Sequence, residues 1–174
     1  MGLCHLYKNR VTPDRNIYDS LKISNNSSYV VLRFVSWQAH HDIGHNGITF
    51  KTKLDLVRAI KPLAHVFITS ESKLPKELEV YRLKISPEKV HDVLAFASLY
   101  IGEGATMASE CTMLGTPAIY VNSLGAGTII DQEKHGLLFN FKSSEGVLTK
   151  ALELLNNPIL NDEWMVKRNN MLDD

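Results

Sequence analysis

The run Tyr29-Val30-Val31-Leu32-Arg33-Phe34-Val35 decides the fold. It is continuously apolar and β-branched, interrupted only by Arg33. A strand with one wet face alternates apolar and polar residues, whereas a strand covered on both faces reads as an unbroken apolar run. The stretch therefore predicts an inner strand of a parallel sheet, with helices on both sides.

Reading upstream, residues 1–28 are polar and irregular, with Pro13 and the run Ser24-Asn25-Asn26-Ser27-Ser28. They read as a lead-in segment or linker with a short helix at 16–22. Residues 29–174 then form the domain. Downstream, residues 50–61 read as a helix with Leu54, Val57 and Ile60 on one side, ended by Pro62. His65–Thr69 and Glu79–Leu83 read as strands. Ser86-Pro87-Glu88-Lys89 reads as a helix start, with Ser86 as N-cap and Pro87 in the first position. Val90, Val93, Leu94 and Ala97 follow at helical spacing. Leu99-Tyr100-Ile101 is a strand that runs into Gly102-Glu103-Gly104, and a helix follows to Leu114, closed by Gly115. Pro117–Val121 reads as a strand, Leu137–Phe139 as a short edge strand, and 147–155 and 159–172 as helices.

This alternation predicts an α/β, Rossmann-like, doubly wound parallel sheet with helices on both faces. Ligands of such sheets bind outside the carboxyl ends of the strands, which directs attention to loops 36–49, 70–76, 84–87, 102–106 and 122–128.

Composition narrows the classes. A chain of 174 residues, 44% hydrophobic and 22% charged, is one domain able to bury its own core. Nineteen basic residues balance nineteen acidic ones, so no broad field recruits nucleic acid or an anionic membrane. Two cysteines make no disulfide framework, and a reduced, cytoplasmic setting is expected. No stretch approaches the ~18–20 apolar residues of a membrane span. The first residues, Met1-Gly2-Leu3-Cys4-His5, lack the apolar core of a signal peptide.

The glycine turn at 102–104 is the first candidate site. Glycines allow a tight turn and close approach to a ligand, and the amides of the next helix can hold a phosphate. Gly104, Ala105, Thr106 and Met107 would supply those amides, with the Thr106 hydroxyl as a further donor. The turn matches neither G-x-G-x-x-G, because position 107 is Met, nor a P-loop. It also reads as a plain strand-to-helix connection. Glu110 lies four residues after Thr106, on the same helix face, where a carboxylate can accept both hydroxyls of a ribose. Equally, it reads as a solvated surface glutamate.

The stretch Leu83–Pro117, with Ser86-Pro87, Tyr100-Ile101-Gly102, Gly104-Ala105-Thr106-Met107, Glu110 and Leu114-Gly115-Thr116-Pro117, resembles the C-terminal domain of GT-B glycosyltransferases. It is similar also to the non-hydrolysing UDP-N-acetylglucosamine 2-epimerases. The resemblance implies one half of a GT-B architecture, with the nucleotide diphosphate at this helix start and the ribose on Glu110. The epimerases carry Ser-Gly-Gly where Gly104-Ala105-Thr106 stands here. A nearer resemblance is to an uncharacterised prokaryotic family of GT-B-like proteins, known as a domain of unknown function. It rests on Arg10-Val11-Thr12-Pro13-Asp14, Val31-Leu32-Arg33-Phe34-Val35-Ser36-Trp37 and His41-Asp42-Ile43-Gly44. Members of that family have a second Rossmann-like domain before this one, so the resemblance implies a missing N-terminal domain or a homo-oligomer partner.

Further candidates cluster after the first strand. Arg33 can bind a phosphate, or serve as a structural ion pair with Glu71 or Glu103. His41 or His45, on a loop facing the interdomain cleft, would touch the diphosphate or act as acid and base. The same loop also reads as one held by Asp42 hydrogen bonds and Trp37 packing. His40-His41-Asp42-x-x-His45 invites a metal, but its spacing fits no standard site, so neither metal nor cofactor is expected. Glu71 reads as facing the cleft or as solvated. Lys84 stands where the GT-B pattern places base contacts, and otherwise reads as a surface lysine.

Three functions follow. The chain is the donor-binding half of a GT-B glycosyltransferase-like enzyme acting on a nucleotide diphosphate sugar. Alternatively it is epimerase-like, using the same residues for elimination and re-addition. Or it is a non-catalytic module binding a nucleotide or a partner chain.

Overall fold

The computed structural model describes residues 12–35, 47–122, 127–158 and 160–173. Ile17–Leu21 (α1) precedes Tyr29–Phe34 (β1), Phe50–Ile60 (α2), His65–Ser70 (β2) and Lys76–Glu79 (α3). A 3-10 turn at Pro87–Lys89 leads into Val90–Phe96 (α4), followed by Leu99–Gly102 (β3), Ala105–Leu114 (α5) and Ala118–Val121 (β4). Gly127–Lys134 (α6), Leu138–Phe141 (β5), Val147–Leu155 (α7) and Leu160–Asp173 (α8) complete the order.

The strands form one parallel sheet in the order β2-β1-β3-β4-β5. The unbroken run at 29–34 is central, as its composition demands: Tyr29–Leu32 and Phe34 are all buried. Alternate residues enter opposite cores. Val30, Leu32 and Phe34 pack with Leu56 and Ile60 of α2, Ala151 and Leu154 of α7 and Trp164 of α8. Tyr29 and Val31 pack on the other face with Ile17, Tyr18 and Leu21 of α1, Val93 and Leu94 of α4 and Cys111 of α5. The fold is thus an α/β, Rossmann-like, doubly wound sheet.

The order also fixes where the sheet opens. From β1 the chain moves outward to β2, then returns to place β3 on the other side of β1. Connections that leave in opposite directions part at that point, and the crevice at the carboxyl ends of β1 and β3 is where such sheets receive ligands.

Local structure departs from the sequence reading in three places. The predicted strand at Glu79–Leu83 is largely helix and turn: α3 occupies its start, and only Arg82 bridges in parallel to Ile68 of β2. Leu74, just before the N-cap Pro75, and Leu78 of α3 are both buried in the same core. Ser86 makes no side-chain cap, so Pro87 opens a 3-10 turn before α4 begins. α6 was not expected. Its buried positions, Ile129 and Gln132, are too few to give an apolar period.

Candidate functional site

The crevice at the switch point is built from the ends of β1 and β3. Arg33 lies beside Gly102 in the parallel register, and Glu103 N donates to Arg33 O at 3.1 Å. This close packing explains Gly102: a Cβ there would collide with Tyr100 Oη and Arg33 Cβ. Tyr100 is fully buried, its hydroxyl donating to Gly104 O at 3.3 Å, and burial pushes its phenol well above the usual range.

α5 starts directly from this turn. Gly104 is its N-cap in extended conformation, and no side chain caps the helix. The first-turn amides at 105–107 have no intrahelical carbonyl to bond and lie at the positive end of the helix dipole. Thr106 is exposed at that turn. The helix ends at Gly115, left-handed at φ 89°, where Thr116 N donates to Cys111 O at 2.8 Å. Cys111 faces the core, and burial raises its thiol well above the usual range.

Sequence reasoning missed the organising residue, Glu103, which it named only as an alternative partner of Arg33. Glu103 is 8% exposed. Its carboxylate accepts from Val35 N and Ile48 N, both at 2.8 Å, and pairs with Lys53 Nζ at 3.5 Å. Lys53 is itself buried, its ammonium 4.8 Å from the centre of the Phe34 ring. Asn122 Nδ2, just past β4, donates to Glu103 O at 3.4 Å. One residue thereby ties the ends of β1, β3 and β4 to the start of α2. The available signal was a carboxylate set between two glycines at a strand end.

Arg33 pairs with Glu71, not Glu103: Nη2 donates to Glu71 Oε1 at 2.5 Å, and Nη1 donates to Thr69 Oγ1 at 2.9 Å. Its Nε lies 4.0 Å from where a Cβ on Gly104 would stand, so the guanidinium flanks the α5 start. Arg33 and Gly104–Met107 are therefore together. Glu110 shares the Thr106 face of α5, with His91 Nε2 of α4 at 3.6 Å and 27% of its side chain exposed. Lys84 is exposed, two residues beyond the Arg82 bridge. His41 and His45, with Trp37, His40 and Asp42, fall outside the described residues. Among the described residues no group of three or more metal-ligating side chains occurs, and no helix is long and apolar enough to cross a membrane.

Among the described residues, two cavities lie at the opposite end of the sheet. One of about 450 Å³ is lined by Arg15, Asn26, Ser28, Ser98 and Thr116, which precede the strands.

No protein-family model and no curated protein matches the chain. Solved structures do. A UDP-N-acetylglucosamine 2-epimerase superposes with TM-score 0.58 at 12% identity, over 96% of this chain and 43% of that one. The wall teichoic acid polymerase TagF gives 0.57 at 14%, over 98% and 45%. The S. aureus MnaA–UDP structure gives 0.57 at 16%, over 90% and 42%. The fold is therefore one half of the architecture shared by GT-B glycosyltransferases and UDP-N-acetylglucosamine 2-epimerases. The chain spans less than half the length of these structures.

Proposed function

We propose that this chain is the nucleotide-sugar-binding half of a GT-B glycosyltransferase-like enzyme, with residues 29–174 as the binding domain and 1–28 as its lead-in. The observation that carries the reading is the meeting, at the switch point, of the uncapped α5 start with Arg33, and of Glu110 one turn further along the exposed face. In this reading the amides of 104–107 and the Arg33 guanidinium hold the diphosphate, and the Glu110 carboxylate accepts from the ribose hydroxyls.

Such a site works by electrostatics. As the sugar leaves, negative charge grows on the diphosphate, and fixed amide dipoles and a guanidinium stabilise it without reorganising. Lys84 lies toward the base, and His41 or His45 supplies acid–base chemistry. A second Rossmann-like domain, on another chain or a longer one, completes the site. A prokaryotic, cytoplasmic setting suits a soluble donor.

The test is calorimetric titration with UDP, GDP and their sugars. Binding is expected for at least one nucleoside diphosphate, and Glu110→Ala should weaken it by about tenfold or more, the weight of a lost charge-assisted hydrogen bond. Absence of binding by any of them rejects the reading, and unchanged affinity in Glu110→Ala rejects the ribose role. The epimerase-like alternative is favoured by the epimerases among the structural neighbours. The two part on whether solvent deuterium enters the sugar at C2 once the second domain is present.

A further inference from the structure

Arg33 is engaged on three sides. Nη1 donates to the Thr69 hydroxyl, Nη2 pairs with Glu71, and the Nε edge faces Gly104. The two anchors differ in kind. Thr69 sits on β2 opposite Arg33 in the parallel ladder, so its position is set by the sheet. Glu71 lies just past the end of β2 with 58% of its side chain exposed, against 21% for Arg33. Thr69 therefore fixes where the guanidinium stands, and Glu71 occupies its Nη2 donor at little cost to displace.

A carboxylate and a phosphate present the same oxygen acceptors to a guanidinium fork. We propose that Glu71 is a built-in anion, held on Arg33 in the ligand-free chain and exchanged for a phosphate oxygen of the incoming nucleotide. Glu71 thereby sets the affinity threshold of the site. It also offsets the Arg33 charge in the ligand-free chain, since a bare guanidinium beside a helix start would collect any small anion. This inference rests on the diphosphate reading above and adds a residue that holds the site back.

The experiment is a double-mutant cycle on the chain as it stands. Wild type, Glu71→Gln, Arg33→Gln and the double variant are titrated with UDP, GDP and inorganic pyrophosphate. Glu71→Gln should bind tighter by about two- to fivefold, the weight of an exposed ion pair. Arg33→Gln should bind more weakly, and the gain from Glu71→Gln should vanish in its background. The Glu71 side chain is exposed, so a thermal melt of the variant should match wild type. A Glu71→Gln affinity equal to or below wild type overturns the inference while leaving the diphosphate reading intact. A gain that persists without Arg33 also overturns it, because the carboxylate then acts as a general repeller. Failure of every variant to bind any of the three ligands removes both the diphosphate reading and this inference.

Discussion

Glu103 is a buried carboxylate that serves four elements at once. Two backbone amides and Lys53 converge on it, so its charge is compensated and both partners are satisfied inside the protein. Such a pair adds little net stability over an apolar one, but removing one member strands the other. Glu103→Ala is expected to cost about 3–5 kcal/mol in urea denaturation, leaving the Lys53 ammonium without its counter-charge and two amides without an acceptor. Lys53→Met combined with Glu103→Gln should cost less than the two single losses added together. Residue by residue, the candidate site was partly legible. Gly104–Met107 and Glu110 stand out because they follow a strand end at helical spacing, and Arg33 because it is the lone charge in an apolar run. The pairing of Glu103 with Lys53 was not legible, because a buried ion pair between residues fifty apart leaves no local pattern.

α5 carries the candidate site at one end and a stop signal at the other. Gly115 is left-handed, and a Cβ there would stand 2.7 Å from Met165 Sδ and 3.2 Å from Arg168 Cδ of α8. Gly115→Ala therefore pays the left-handed penalty of about 1–2 kcal/mol and crowds α8 besides. The expected readout is a melting temperature lower by about 2–8 °C. Elements of this kind were readable in sequence wherever periodicity or a cap was strong, as at 50–60, 105–114 and 147–155. α3 and α6 escaped notice because each buries one or two residues, and a helix that short is held by packing, not by its own pattern.

The whole molecule depends on buried groups that tolerate only their neutral forms. Tyr29 and Tyr100 have no exposed surface, and burial pushes both phenols above their ordinary range; the Cys111 thiol is raised for the same reason. In the unfolded chain these groups ionise near about pH 8.5 for cysteine and 10 for tyrosine. Below those values both states are neutral and stability is unaffected. Above them the unfolded state sheds protons that the folded state retains, so stability falls by up to ~1.4 kcal/mol per pH unit for each group. Urea midpoints measured from pH 7 to 11 should decline above about pH 9 and steepen beyond pH 10. A flat profile to pH 11 would contradict the burial of these hydroxyls.

The sequence by itself determined the class of fold. Unbroken apolar strands alternating with amphipathic helices can be satisfied only by a parallel sheet covered on both faces, and that information is local to each segment. The tertiary structure alone decided the strand order, and with it the switch point between β1 and β3 that brings Arg33, Glu71, Glu103 and the α5 start together. Arg33, Glu71 and the 103–107 turn are far apart in the chain. Their meeting depends on which strand returns beside β1, a choice made by the packing of whole layers, which no single segment encodes.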